Sequence, residues 1–143
     1  MEKPSYMIEE ARKSFDRQGF MKTLGAEIIA IEKGMVKIAC SKKDSLTQQH
    51  GFFHAGVITS IADVACGYAA MTTMPEGSEV LSVEFKTNLM KAATADKIIA
   101  TGKVIKSGRT LVFCEATITD EKEEVIFATL QGTMFCVQNK PNQ

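Results

Sequence analysis

One long apolar helix set among β-rich segments limits the fold of this chain more than any other feature. From about His54 to Met74 the sequence has no proline and only two glycines, Gly56 and Gly67. Its apolar residues are too numerous and too evenly spread for a helix that shows one face to solvent. We therefore expect a helix that is buried almost all round.

The segments on either side of this helix are typical of strands. Two β-rich runs, AEIIAIEKG and MVKIAC, precede it and are joined through Glu32, Lys33 and Gly34, as in a hairpin. Four more runs follow, separated by turn or charge breaks at 92–94, 107–108 and 120–122. Short connections make consecutive strands antiparallel, and six strands can cover one apolar helix only if the sheet curls around it. The sequence thus predicts an α+β fold with a six-stranded antiparallel sheet wrapped around one central helix.

A shorter helix is predicted ahead of the sheet, at about residues 4–17. Pro4 and Ser5 are typical of a helix start, and Ile8, Ala11 and Phe15 follow at helical spacing before Gly19. A chain of 143 residues without repeats suits a single domain.

Charge and cysteine usage argue against several classes of function. Lys plus Arg and Asp plus Glu both number 17, so no overall field attracts nucleic acid or an anionic membrane. No apolar run reaches the ~20 residues of a membrane span, and no secretory segment opens the chain, which predicts a cytoplasmic protein. The four cysteines are scattered among apolar residues, as expected of buried reduced thiols rather than of a zinc site.

A narrow stripe of small and polar residues follows the central helix. At about 100° per residue it contains Gly56, Ser60, Asp63, Gly67 and Ala70. Burying an unpaired carboxylate costs several kcal/mol or raises its pKa until it is neutral. Asp63 is therefore expected to bond a neighbouring group, for example across a subunit contact, or to take part in chemistry.

The start of the same helix is suited to a carbonyl group. Free N–H groups around Ala55 and Gly56 point outward at the positive end of the macrodipole, while a carboxylate two turns along a facing helix activates water or attacks directly. Acyl transfer fits this arrangement. A metal does not, because Gly51 separates His50 from His54 in a loop and no third ligand is near. His54 is expected to bond the local backbone at the helix start.

With HAGVITSIADVACGYAA on this helix, the chain resembles the hotdog-fold acyl-CoA thioesterases of the phenylacetate-degradation (PaaI-like) type, whose hallmark is HGG followed by an LAD-like segment. The likeness covers about residues 26–137 and includes the spacing from His54 to Asp63. It implies hydrolysis of acyl-CoA thioesters to free acid and coenzyme A, with no metal and no organic cofactor. It also implies active sites between the two chains of a homodimer, which often pairs into a homotetramer.

The resemblance implies a role for each residue around the helix. Asp63 would be the nucleophile or general base. The N–H of Ala55 would polarise the thioester carbonyl, and the neighbouring Gly56 would also bind the substrate. His54 would orient the loop that presents this amide. Ser82 stands where a strand Ser or Thr often assists.

Two further groups are implied by the same likeness. Gln48 stands where the family has an Asn that holds the attacking water or the thioester. The segment KSGRT resembles the turn that meets the nucleotide end of coenzyme A, which makes Lys106 and Arg109 candidate phosphate contacts. The alternative for these two residues is a solvated hairpin turn.

Two positions depart from the family pattern. HAG replaces HGG, which keeps the amide but adds a methyl group, and Gln48 replaces Asn, which lengthens the side chain that positions water.

Two other functions stay open. One is a hotdog module that binds acyl-CoA without turnover. The other is a hotdog hydratase or dehydratase, against which the place of His54 ahead of the helix and the missing proline-rich His motif both argue.

Overall fold

The order of helices and strands is the one predicted, with one short α-helix and one 3₁₀ helix added. The structure, a computed structural model, describes residues 6–138. Its α-helices and strands in chain order are α1 (Tyr6–Asp16), α2 (Gly19–Leu24), β1 (Glu27–Glu32), β2 (Met35–Ser41), α3 (Ala55–Met71), β3 (Ser78–Leu89), β4 (Lys97–Ser107), β5 (Leu111–Asp120) and β6 (Ile126–Gln138). The 3₁₀ helix is Asp44–Leu46, between β2 and α3.

The six strands form one antiparallel sheet in the order β1-β2-β4-β5-β6-β3, and α3 packs against five of them. The prediction of a hotdog arrangement is confirmed. Helix and sheet are closest at Gly102 of β4, where an added Cβ would lie only 2.5 Å from the carbonyl carbon of Ala65 and 2.7 Å from the N of Cys66. This contact fixes the middle of α3, and with it Asp63, against the sheet.

The N-terminal region differs from the prediction. Pro4 and Ser5 lie outside the described residues, and Gly19 does not simply end the first helix but begins α2. Met21 and Leu24 of α2 are buried in the core, which gives six residues enough apolar contact to stay helical. Gly25 ends the helix in the left-handed conformation at φ 71°.

The two halves of α3 differ in exposure. Every residue from Ala65 to Met71 is buried, as expected. In the first half Gly56 is exposed and Ser60 and Asp63 are half-buried, because the elements around the helix leave that side open. Among residues 6–138, no helix combines the length and the apolar character needed to cross a membrane.

Strand β3 forms one edge of the sheet. It is 12 residues long and, within residues 6–138, pairs only with β6. Four of its apolar side chains are strongly exposed, namely Leu81 (60%), Val83 (56%), Phe85 (42%) and Leu89 (57%). A long apolar edge of this kind is a ready site for pairing with another strand.

Candidate active site

Asp63 lies in the middle of α3 and has one side-chain hydrogen-bond partner in the described part of the chain. The hydroxyl of Ser82 in β3 donates to its Oδ1 at 2.7 Å. Its Oδ2 has no partner among residues 6–138, and no cation forms a salt bridge with the carboxylate there. Burial raises the pKa of the Asp63 carboxyl above its ordinary value, and the hydrogen bond from Ser82 partly opposes that rise. The Asp63 carboxyl is therefore partly desolvated, and its Oδ2 is free to accept a proton.

The position of Ser82 follows from the alternation of β3. Ser78 is buried and Val80 packs against the core, and Ser82 lies on the same face with the strand period of two. The pairing of β3 with β6 shifts register only after it, between Ser82 and Glu84. Ser82 is thus directed at the helix, on the carboxylate.

His54 begins α3 as its N-cap. Its Nδ1 accepts a hydrogen bond from the N–H of Gly56 at 2.8 Å, so its remaining proton is on Nε2 when the ring is neutral. A Cβ on Gly56 would approach this Nδ1 to 3.0 Å, which makes the glycine part of the cap. His54 bonds the backbone of its own loop.

Because His54 caps the helix, only one of the two N–H groups expected to bind a carbonyl oxygen remains free. Because the N–H of Gly56 already donates to His54, it is not free for a substrate. The N–H of Ala55 has no acceptor within the described part of the chain. The free donor at the start of α3 is thus the N–H of Ala55, whereas Gly56 is part of the cap.

Gln48 lies in the loop before α3. Its side-chain oxygen accepts hydrogen bonds from the N–H groups of His50 (2.6 Å) and Phe52 (3.3 Å), which closes the loop. Only its Nε2 group remains as a donor. Gln48 and Ala55 both line a cavity of about 460 Å³, together with Phe52, His54 and Met90. The side chain of Gln48, which is longer than that of Asn, therefore uses its oxygen to stabilise its own loop.

Asp63 and Ala55 do not meet within one chain. They are eight residues apart on α3, which corresponds to roughly 12 Å along the helix axis. A reacting carbonyl must lie within about 3 Å of both its donor and the attacking group. One chain alone therefore offers two half sites.

Lys106 and Arg109 lie at the other end of α3. Both are exposed in or beside the turn between β4 and β5, and the neighbouring Ser107 bonds Thr73 after the helix at 3.0 Å. The 17 residues of α3 span roughly 25 Å. The two basic residues are thus remote from Ala55 of the same chain.

The thiols offer no rival nucleophile. All four cysteines are buried and free. The hydrogen bond with Cys114 and burial raise the pKa of Cys66, and burial raises that of Cys40. Across residues 6–138, no cluster of three or more His, Cys, Asp or Glu side chains could hold a metal ion.

A sequence-family comparison identifies the chain. The model of the thioesterase superfamily matches residues 50–127, more than half of the chain. The chain belongs to the thioesterase superfamily. This confirms the resemblance noted from the segment around His54 and Asp63.

Individual relatives agree with this membership. A crystal structure of a thioesterase family protein from Silicibacter pomeroyi is 39% identical, with a TM-score of 0.89 over 93% of this chain and 99% of that one. A 1,4-dihydroxy-2-naphthoyl-CoA hydrolase of Listeria monocytogenes is 28% identical over 108 residues, 76% of this chain and 88% of the relative. The PaaI protein of the E. coli phenylacetic acid degradation operon is 18% identical and shares the fold, with a TM-score of 0.85 over 96% and 99% of the two chains.

One set of residues near Asp63 was not predicted as part of the site. Tyr68, the only aromatic residue of α3, bonds Ser14 and Gln18 at 2.9 Å each, which ties the end of α1 to the helix beside the carboxylate. A lone tyrosine among small and aliphatic residues was the available signal. Its partners are 50 or more residues away in sequence, so no local pattern relates them.

Proposed function

We propose that this chain hydrolyses acyl-CoA thioesters to free acid and coenzyme A, in active sites that two copies of the chain build together. The observation that carries the proposal is the Asp63 carboxylate, with one oxygen bonded to Ser82 and the other without a partner among residues 6–138. A raised pKa and a free oxygen suit a general base. Membership of the thioesterase superfamily supports the reaction class.

In the proposed reaction, Asp63 removes a proton from a water molecule while the water oxygen attacks the thioester carbonyl carbon. The carbonyl oxygen gains negative charge and accepts a hydrogen bond from the N–H of Ala55, at the positive end of the α3 dipole. Collapse of the tetrahedral intermediate breaks the C–S bond. Asp63 returns its proton to the leaving sulfur, and the acid and coenzyme A depart.

A second copy of the chain would bring the two half sites together. Two α3 helices lying antiparallel across a two-fold axis would put Asp63 of one copy opposite Ala55 of the other. The open side of α3 suits a close approach, because Gly56 and Ser60 have small side chains there. The roughly 12 Å between Ala55 and Asp63 in one chain is then a reason for a homodimer.

The edge of the sheet supports the same assembly. Strand β3 could pair with β3 of a second copy and cover its exposed apolar residues. Leu81, Phe135 and Leu111 are cross-strand neighbours on β3, β6 and β5 and are 60%, 37% and 38% exposed. Such a patch on the sheet favours the pairing of two dimers.

The basic turn would complete the substrate site. In this antiparallel pair, the C-terminal end of α3, next to the turn that holds Lys106 and Arg109, would extend roughly 12 Å past Ala55 of the other copy. Their positive charges suit the phosphates of coenzyme A. The Listeria relative, named as the hydrolase of a CoA thioester, supports coenzyme A as the carrier.

The direct test is thiol release from a panel of acyl-CoAs, with the size of the protein in solution measured in parallel. We expect turnover and a dimer or larger assembly. Tight binding of an acyl-CoA without thiol release would identify a binding module instead. Hydration of an enoyl-CoA would identify a hydratase, and an active monomer would refute the two-copy site.

A further inference from the structure

A second cavity adjoins Asp63 on the side of α1. It has a volume of about 150 Å³ and lies between α1, α3 and β3. Asp63 and Gly67 of α3 line it, one helical turn apart, and Ser82 and Val80 of β3 lie opposite. Ala55 is not among its lining residues, so it is separate from the 460 Å³ cavity at the helix start.

Gly67 is not required by the packing of the fold. It is buried within α3, where glycine is among the least favourable residues for a helix. An added Cβ at Gly67 would meet no atom of the described residues within 4 Å, whereas one at Gly102 would collide with the helix backbone. Protein interiors seldom leave room for an extra methyl group. The glycine keeps space open beside the carboxylate.

The far wall of this cavity is fixed. Tyr68 accepts a hydrogen bond from Gln18 Nε2 at 2.9 Å and shares another with Ser14 Oγ at 2.9 Å. Burial raises the pKa of the Tyr68 hydroxyl, so it stays a neutral phenol. These bonds hold α1 across the cavity, and its depth is thereby limited.

We propose that this cavity receives the acyl group of the substrate and that Gly67 sets the largest acyl group accepted. The inference rests on the proposed thioesterase function. A carbonyl attacked by water from Asp63 must lie at that residue, and the space that continues from it runs toward Gly67. Its volume of about 150 Å³ admits only a small acyl group, and its wall is largely polar, with Ser14, Gln18 and Glu79 among the lining residues. The structure thus assigns small acyl groups to this site.

The test compares Gly67→Ala with the wild-type protein on acetyl-CoA and benzoyl-CoA. The added methyl group should lower the ratio of kcat/KM for benzoyl-CoA to that for acetyl-CoA by roughly 10-fold or more, the scale for one methyl group in a pocket. The melting temperature should rise, because alanine favours the helix and meets no neighbour. Gly19→Ala, at the exposed start of α2, is the matched control and should leave the ratio unchanged.

Each outcome separates the two proposals. An unchanged ratio in a folded, active Gly67→Ala variant would overturn the acyl site and leave the thioesterase function standing. A wild-type protein that releases no thiol from any acyl-CoA would overturn both. A falling ratio with a higher melting temperature supports the site, because a damaged fold would lower the melting temperature.

Discussion

Replacing Asp63 by asparagine distinguishes a catalytic carboxylate from one that only holds the fold together. The amide oxygen can still accept the hydrogen bond from Ser82, so shape and packing stay nearly the same. What disappears is the basic oxygen that has no protein partner among residues 6–138. We therefore expect a loss of turnover with little loss of structure.

The size of the effect follows from the role of the group. Losing a general base lowers kcat by roughly 10²- to 10⁴-fold, which corresponds to about 2.7–5.4 kcal/mol of the activation barrier. Burial disfavours the Asp63 carboxylate and raises its pKa. Its neutral replacement should leave the free energy of unfolding at pH 7 equal to or above that of the wild type.

The pH dependence of the melting temperature gives an independent test of how burial affects the Asp63 carboxylate. Because the pKa of Asp63 is higher in the folded than in the unfolded chain, its contribution to stability is present at low pH. It is lost as the pH rises through the folded-state pKa. The asparagine that replaces it does not titrate. The melting temperature of the variant minus that of the wild type should therefore increase from acid to neutral pH.

The assays are thiol release under saturating acyl-CoA and thermal unfolding at several pH values. A purely structural Asp63 predicts the opposite pattern. Exchanging a hydrogen bond to a charged group, worth about 1.5–3 kcal/mol, for one to a neutral amide, worth about 0.5–1.5 kcal/mol, costs about 1–1.5 kcal/mol, or roughly 2–6 °C in melting temperature for a chain of this size, with turnover retained. Near-wild-type kcat in Asp63→Asn would refute the mechanism.

Three further variants test other parts of the structure. Ser82→Ala removes the hydrogen bond that lowers the pKa of Asp63, so the acidic limb of the kcat/KM profile should move to higher pH; an unmoved limb would mean that another group titrates. Gly102→Ala forces a methyl group into the backbone at Ala65 and should cost about 1–3 kcal/mol of unfolding free energy; an unchanged denaturation midpoint would contradict that contact. Arg109→Ala should raise KM for an acyl-CoA but not for a short thioester without the nucleotide, and equal losses on both would make the arginine structural.

Local patterns were enough for most of the secondary structure. The hairpin turn at Lys33 and Gly34 and the breaks between the last four strands lie where glycine, charge and polar residues interrupt alternation. Asp63 could be identified without knowledge of the fold, because a carboxylate in an apolar helix must have a hydrogen-bond partner or a chemical role. Helix α2 was not predicted, because its six residues are kept helical by the burial of Met21 and Leu24 in the core rather than by their helix propensity.

The donors of the candidate site could not be read from the sequence in the same way. Both first-turn amides are free in an isolated helix, but the rotamer of His54 uses the N–H of Gly56 and leaves Ala55. Gln48 likewise commits its oxygen to its own loop. These outcomes depend on side-chain geometry within a few residues, which spacing alone does not specify.

The sequence by itself determined the central helix, the six strands, the antiparallel connections and the carboxylate in the stripe, because each depends on residues within a few positions of one another. Only the tertiary structure decided that β3 lies at the edge beside β6, that Ser82 of β3 bonds Asp63, and that Tyr68 ties α1 across a cavity next to Gly67. Those features join residues 19 to 60 positions apart in sequence. Such pairings are set by the packing of the whole core, for which local periodicity contains no information.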